Sequence, residues 1–230
     1  MLRGMGASGE WAWIQREKQA DWISALRSED QQQIEGYLRG FFRNEAGYGL
    51  VSFPYPLTEQ SVSALRHDIE VWDEFCDSPP VARLRTPDVG EPYGLEADGV
   101  LIVPDAPRHY YNAARLLRLE PASILEIGGG YGGVYYFLRQ LGFAGLYINC
   151  DLESTLAVWR YYVTHSVGEK ACELVSSHRR DAIRAPVDVV CNFHSWSEMS
   201  RADLEAYFAL VRRIQPRHIF HCNANRWLWK

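Results

Sequence analysis

The chain has 230 residues, 47% of them hydrophobic, which favours one sizeable core with an appended element over two full domains. A formal net charge of −5 without a basic stripe argues against a nucleic-acid partner. Five scattered cysteines without a C-x-x-C pair, and no run of about 18 apolar residues, predict a cytoplasmic chain with no signal peptide and no membrane span.

Residues 1–89 predict a helical N-terminal extension or cover. Apolar residues between Glu10 and Arg43 recur at mostly helical spacing, and the segment 28–30 supplies a break, so we expect two helices there. Thr58 is a candidate N-cap for a further helix that stops near Asp77. The proline- and glycine-bearing segment that follows, 78–108, is either an ordered loop beside a pocket, a flexible cover or a plain surface connection.

Strand and helix signals alternate along residues 90–230, which we therefore expect to form the main α/β domain. This alternation is typical of an α/β fold with a Rossmann-like, doubly wound and mostly parallel sheet. The expected strands are 124–127, 146–150, 172–176, 187–193 and 218–222, and the expected helices are 132–141, 154–164 and 201–214.

A glycine-rich stretch, 123–133, follows the first of these strands. Gly128, Gly130 and Gly133 satisfy the G-x-G-x-x-G spacing of dinucleotide sites, in which missing side chains let the backbone approach a cofactor. The spacing alone is a weak signal. Glu126 at the end of the strand would repel a pyrophosphate but suit a positively charged cofactor such as S-adenosylmethionine (SAM).

The segment Glu126-Ile-Gly-Gly-Gly-Tyr-Gly-Gly133 resembles the first motif of class I SAM-dependent methyltransferases. Together with Asp151-Leu-Glu153 and Asn192-Phe-His-Ser-Trp-Ser-Glu-Met199, it resembles the putative sugar O-methyltransferase family over about residues 90 to 225. The resemblance implies methyl transfer from SAM to a hydroxyl of a small acceptor, a sugar or a sugar-bearing metabolite, with S-adenosylhomocysteine as the product.

The usual class I fold adds a terminal antiparallel hairpin that we expect to be absent here, since the chain stops at Lys230. Either the fold is shortened, or the chain is truncated, or the open sheet edge is covered by the N-terminal helices or a second subunit. A homo-oligomer is therefore one of the alternatives that the sequence leaves open.

Two carboxylates at strand ends are the main candidate cofactor ligands. Asp151 has a spacing from the glycines that suits hydrogen bonds from ribose hydroxyls, and its alternative role is to cap the next helix. Glu126 is expected to contact the SAM amino group, directly or indirectly, or to pair with Arg108 or Arg115 instead.

The remaining candidate cofactor contacts are less specific. Tyr131 lies near the sulfonium or packs in the core, and Asp181 contacts adenine or belongs to a solvated charge cluster. The resemblance adds Leu152 and Asn192 to the cofactor set.

The segment 192–199, at the end of the fourth predicted strand, carries the residues that are candidates for the substrate chemistry. Methyl transfer to a hydroxyl needs an in-line arrangement and removal of one proton, for which His194 is the candidate base, and Glu198 orients or replaces it. Their alternative roles are a hydrogen bond to the loop backbone and a helix cap, respectively. The candidate acceptor-binding residues, which equally fill a core, are Tyr93, Tyr110, Tyr111 and Trp196.

No metal site is expected, because His218 and His221 point to opposite faces of a strand. The sequence is also compatible with three alternative functions. The first is a SAM enzyme that uses another electrophilic carbon, for example by aminocarboxypropyl cyclisation. The others are an NAD-dependent oxidoreductase and a non-catalytic SAM-binding partner.

Overall fold

The structure, a computed structural model, describes residues 9–169, 171–184 and 186–223. Its N-terminal part is helical, as predicted, but the segment expected to form two helices forms three, because the chain also breaks at residues 18–19. Asp30 caps the third helix by accepting from the backbone N–H groups of Gln32 and Gln33. Thr58 caps the fourth, as expected, through Ser61 N–H. The helices are α1 (Glu10–Glu17), α2 (Ala20–Ser28), α3 (Gln31–Arg39) and α4 (Glu59–Phe75).

The segment expected to be a loop, 78–108, contains a strand hairpin that was not predicted. A short antiparallel hairpin turns through Asp98 and Gly99, both with positive φ, and is followed by a helix. These elements are β1 (Leu95–Ala97), β2 (Val100–Ile102) and α5 (Ala106–Leu117).

Five parallel strands form the central sheet, which confirms the Rossmann-like prediction. The strand order is β5-β4-β3-β6-β7, so the order reverses between β3 and β6, where doubly wound folds place their ligand crevice. The strands are β3 (Ser123–Ile127), β4 (Leu146–Asp151), β5 (Cys172–Ser176), β6 (Val189–Phe193) and β7 (His218–Cys222), and the helices between them are α6 (Gly133–Gln140), α7 (Glu153–Ser166) and α8 (Arg201–Ile214).

The hydrophobic core is continuous across the predicted domain boundary at residues 89 and 90. Trp22, Phe41 and Trp72 from the N-terminal part are in the same buried cluster as Tyr135 and Trp159 from the helices beside the sheet. The N-terminal helices are therefore packed onto the sheet domain by apolar burial. The division into two domains stays a prediction.

The β7 side of the sheet is less covered than its centre. Ile219 of β7 and Phe208 of α8 are exposed, whereas every residue of β6 is buried. The predicted absence of a terminal hairpin concerns residues 224–230, which lie outside the described residues. Among the described helices, none has the length and hydropathy that crossing a bilayer requires.

Candidate active site

A cleft lies along the carboxyl ends of the parallel strands and consists of two adjoining cavities. The larger cavity has a volume of about 390 Å³ and the smaller about 220 Å³. Four residues line both cavities and mark their junction: Trp11, Gly128, Asp151 and Ser195. A long ligand can therefore extend from one cavity into the other.

The glycine loop between β3 and α6 forms the floor of the larger cavity. Gly128 has φ +75°, and a Cβ there would overlap the Ser195 side chain, so both the backbone conformation and the space require glycine. Gly130 also has a positive φ and lines the cavity. A Cβ at Gly133 would overlap the His109 ring, so this glycine lets α5 approach α6 rather than forming the cavity wall.

The amide groups of this loop donate to the chain itself. Gly128 N–H donates to the Cys150 carbonyl (2.9 Å), and Gly129 N–H donates to Asn149 Oδ1 (3.2 Å). Gly130 N–H donates to Asp151 Oδ2 at 3.1 Å. These three donors are therefore already used, which is unlike the open amide cradle of a pyrophosphate site.

Glu126 lies at the bottom of the larger cavity, with only 1% of its surface exposed. The Tyr147 hydroxyl donates to its Oε2. Burial raises the pKa of Glu126 to about 7, against the lowering effect of the Tyr147 hydrogen bond, and the nearby Asp151 raises it further. Neither Arg108 nor Arg115 forms an ion pair with it among the described residues.

Asp151 stands at the junction of the two cavities. Its two oxygens accept hydrogen bonds from Leu152 N–H (2.7 Å) and Gly130 N–H (3.1 Å). Burial raises its pKa to about 7 despite these bonds. Leu152 lines the smaller cavity, next to Cys150 and the Tyr207 ring.

The loop after β6 brings His194 and Glu198 to the larger cavity. His194 is solvent-exposed and has φ +70°, uncommon for a residue with a side chain. Partial desolvation of its imidazole at the cavity, and then the positive charge of Arg108, lower its pKa below the ordinary value. Helix α8 is capped by Ser200, which accepts from Asp203 N–H, so the capping role considered for Glu198 belongs to Ser200.

Asn192 shapes this loop and does not line either cavity. Its side-chain amide is completely buried, donates to the Ile127 carbonyl (2.6 Å) and to Ser195 Oγ (2.5 Å), and accepts from Trp196 N–H. The structure therefore gives Asn192 a positioning role in place of the predicted direct contact.

Helix α1 covers the junction of the two cavities, which the sequence reasoning did not anticipate. Trp11 Nε1 donates to Glu198 Oε2 at 2.7 Å, and Gln15 donates to the buried Ser154 Oγ at 3.1 Å. The two bonds attach α1 to elements on both sides of the cleft. No local sequence signal pointed to this contact, since Trp11 and Glu198 are 187 positions apart.

Helix α5 supplies one wall of the larger cavity, a role for these side chains that the sequence did not indicate. The wall residues recur at positions i, i+3, i+4 and i+7, the spacing of one helix face. His109 is nearest the glycine loop, with Nδ1 3.2 Å from the Tyr131 hydroxyl, and burial lowers the His109 pKa to about 4. The polar face of α5 consists of Arg108, His109 and Asn112 together with Asp105, the N-cap residue directly before the helix.

Tyr131 lines the larger cavity, but its ring is largely packed. Only 2% of its surface is exposed, and it makes edge contacts with Phe42 and Tyr162 at centroid distances of 5.1 Å. Burial raises its pKa well above the ordinary value, so the hydroxyl remains a neutral partner of His109.

Several predicted site residues lie away from both cavities. The Asp181 side chain is 92% exposed and faces Arg213 at 3.9 Å, which corrects the adenine contact and fits the solvated charge cluster. Tyr110 packs against Trp72 on the core face of α5. Tyr111 contacts Phe75 of α4, on a separate shallow pocket.

The other two predicted acceptor contacts are packed in the protein interior. The Tyr93 hydroxyl donates to the Phe53 carbonyl, and its ring is 6% exposed. Trp196 packs against Phe208 and His221, in a hydrophobic cluster on the α8 side of the sheet that includes Leu125 and Leu210. These side chains therefore have the alternative role considered for them, core packing.

The described residues contain no group of three histidine, cysteine, aspartate or glutamate side chains placed to hold a metal ion. The titratable groups of the cleft are instead spread along its length.

No family model and no curated protein matches the sequence. Solved structures similar to this one include the methyltransferase domain of bacterial CtHen1-CN (16% identity, 49% of this chain and 62% of that one, TM-score 0.42). The chain thus spans less than two thirds of that structure's length.

Two further similar structures carry a bound SAM-type molecule. One is the O-methyltransferase TomG from Streptomyces achromogenes in complex with SAM, with 16% identity, 76% and 69% coverage and a TM-score of 0.40. The other is the SAH-bound Podospora anserina methyltransferase PaMTH1, with 10% identity, 70% and 67% coverage and a TM-score of 0.41. All three TM-scores lie below 0.5, so the functional conclusions rest on the residues of this chain.

Proposed function

We propose that the chain is a SAM-dependent O-methyltransferase that acts on a hydroxyl of a small acceptor of the sugar class. The observation that carries this proposal is the placement of two carboxylates along one cleft, with Glu126 buried and Asp151 half-buried. Glu126 lies under the larger cavity, and Asp151 stands at its junction with the smaller one. This order matches a ligand with a cationic end, a central ribose and a flat base.

The smaller cavity suits the base. Its walls combine apolar side chains with the Tyr207 ring and the polar groups of Ser177 and His178. A purine can pack against such surfaces while its ring nitrogens face polar atoms. Asp151 at the entrance would then accept hydrogen bonds from the ribose hydroxyls, as carboxylates do in nucleotide sites.

The charge of the larger cavity suits the other end of SAM. A buried carboxylate needs a positive partner to be ionised at low cost, and the described residues place none on Glu126. The ammonium of SAM supplies such a partner. The same carboxylate opposes a dinucleotide, as do the Gly128, Gly129 and Gly130 amides that already donate within the chain.

His194 is the proposed base. When bound, SAM supplies an electrophilic methyl group, and the protein must hold the acceptor oxygen in line and take its proton. His194 lines the same cavity as Glu126, and its lowered pKa keeps the imidazole neutral at pH 7, ready to accept that proton. Glu198, which is held by Trp11, is the adjacent carboxylate that helps orient the acceptor.

Calorimetric titration of the purified protein with SAM, S-adenosylhomocysteine and NAD tests the cofactor. We expect saturable binding of the first two and none of NAD. Binding of NAD alone would contradict the proposal in favour of an oxidoreductase.

Mass analysis of reactions with a panel of glycosides tests the chemistry. S-adenosylhomocysteine together with an acceptor 14 Da heavier, the mass of one added CH₂, is expected. Methylthioadenosine as the product would show attack at another carbon of the sulfonium. SAM binding without turnover on any acceptor would favour the non-catalytic alternative.

A further inference from the structure

The polar face of α5 carries an inference about the acceptor that rests on the proposed function. This face lines the larger cavity, as does the loop that holds His194. Asp105 and Asn112 are 5% and 6% exposed, respectively, so their polar groups are held in a largely dry environment. Groups of this kind select a ligand strongly, because an unmatched partner leaves them unpaired.

Arg108 is the cationic side chain of this face, but its charge is already balanced. One of its terminal nitrogens donates to Asp105 Oδ1 at 2.8 Å, and its Nε lies 3.4 Å from Asp68 Oδ2. Two carboxylates therefore surround one guanidinium. The cluster has a net negative charge, and Arg108 is not available as an unpaired site for a phosphate.

Asp105 is also fixed in place from the N-terminal side. Ser52 donates to it twice, from its hydroxyl to Oδ1 (2.6 Å) and from its backbone N–H to Oδ2 (3.1 Å). Together with Arg108, these donors hold both oxygens of the Asp105 side chain in a fixed orientation. The wall therefore presents a preorganised acceptor of hydrogen bonds.

The histidines of the cavity add no positive charge at neutral pH. The pKa of His109 is lowered to about 4 by burial, and that of His194 is also lowered. Among the described residues that line this cavity, Arg108 is the one lysine or arginine. Four carboxylates line the same space: Asp105, Glu126, Asp151 and Glu198.

From this geometry we infer that the α5 face is an acceptor subsite for uncharged polyols and amine-bearing sugars, and that it discriminates against anionic acceptors. A sugar hydroxyl or ammonium donates to Asp105, and the Asn112 amide offers both a donor and an acceptor. A sugar phosphate, a nucleotide sugar or a uronate would bring negative charge beside Asp105 and Glu198, where the described lining residues include no unpaired lysine or arginine.

The test measures binding of matched sugars to the protein saturated with S-adenosylhomocysteine, by saturation-transfer NMR at constant ionic strength. Each of four ring types, gluco, galacto, manno and rhamno, is offered as the methyl glycoside and, where the ring allows, as the amino sugar, the uronate and the 6-phosphate. We expect a neutral or amino member to bind at least about tenfold more tightly than its anionic counterparts. Tighter or equal binding of the anions, or no binding of any neutral or amino member, overturns the inference.

Three variants assign the discrimination to α5. Asp105→Asn removes one negative charge and should reduce the affinity ratio between neutral and anionic sugars, here called the gap, at least about threefold. Asn112→Asp adds one negative charge and should widen the gap. Asp98→Asn makes the same chemical change at an exposed turn away from the cavity and should leave the gap unchanged. An unchanged gap in a folded Asp105→Asn protein, or in Asn112→Asp if the first does not fold, contradicts the assignment.

Calorimetry with S-adenosylhomocysteine distinguishes a failure of the proposed function from a failure of the acceptor subsite alone. Failure of the wild-type protein to bind S-adenosylhomocysteine in calorimetry contradicts the proposed function itself. Binding of that molecule together with a preference for anionic sugars contradicts only the acceptor subsite.

Discussion

The raised pKa of Glu126 predicts that the affinity for SAM depends on pH. In the free protein this carboxyl has a pKa of about 7, chiefly because it is buried. A bound ammonium favours the ionised form and lowers that pKa, so binding releases protons. The sign follows directly: protonated Glu126 must lose its proton before it can pair, so affinity falls as pH drops below 7.

The size of the effect follows from the ionised fraction. For a pKa of about 7 that fraction is roughly 0.09 at pH 6 and roughly 0.5 at pH 7, so Glu126 alone raises the association constant about fivefold over this range, or ~1 kcal/mol. An α-amino group with a pKa of about 7.7–8.0 stays mostly protonated below pH 7, so titration of the ligand adds little to the change of SAM affinity with pH.

Calorimetry at pH 6.0, 6.5 and 7.0, in two buffers of different ionisation enthalpy, measures both the affinity and the protons released. Glu126→Gln should bind SAM more weakly at pH 7. Its association constant should lack the roughly fivefold rise between pH 6 and pH 7 that Glu126 contributes in the wild type. Asp151, whose pKa is also about 7, titrates in both proteins, so the difference between them measures Glu126 together with its electrostatic coupling to Asp151. The exposed Glu96→Gln is the matched control. Identical slopes for wild type and Glu126→Gln would refute the reasoning.

Three further substitutions test other parts of the cleft. Gly128→Ala should weaken SAM binding by more than about tenfold, since the new Cβ meets both a positive φ and the Ser195 side chain. Gly142→Ala, at a positive φ with open space, is its control, and equal calorimetric affinity of the two variants would contradict the steric explanation. Trp11→Phe removes the hydrogen bond to Glu198 and should speed SAM release by about tenfold in stopped-flow measurements, the equivalent of one bond to a charged group, whereas the exposed Trp13→Phe should not. An unchanged release rate would mean that α1 does not restrain the ligand. His194→Ala should lower turnover by about 10²–10⁴-fold while calorimetric SAM affinity is retained, and in the wild type kcat/KM should rise with pH through a midpoint below 6.5. Wild-type turnover in that variant would remove His194 as the base.

The sequence by itself determined the sheet and its glycine loop. The strands and helices from Ser123 to Cys222 lie within about two residues of their predicted bounds, because apolar periodicity and glycine positions are local signals. For the same reason the carboxylates at the ends of β3 and β4 could be placed at the cleft. Parallel strands carry their last residues to one edge of the sheet.

Only the tertiary structure decided which other side chains reach that edge. Tyr110 and Tyr111 are in α5, whose docking against α4 and α6 buries Tyr110 and leaves Asp105 and His109 at the cavity. A rotation of one residue, about 100° in an α-helix, separates these faces, and a single helix does not specify which face its neighbours will cover. The Trp11 contact with Glu198 likewise depends on the N-terminal helices packing onto the sheet domain through apolar burial, an interaction between distant segments that local pattern does not encode.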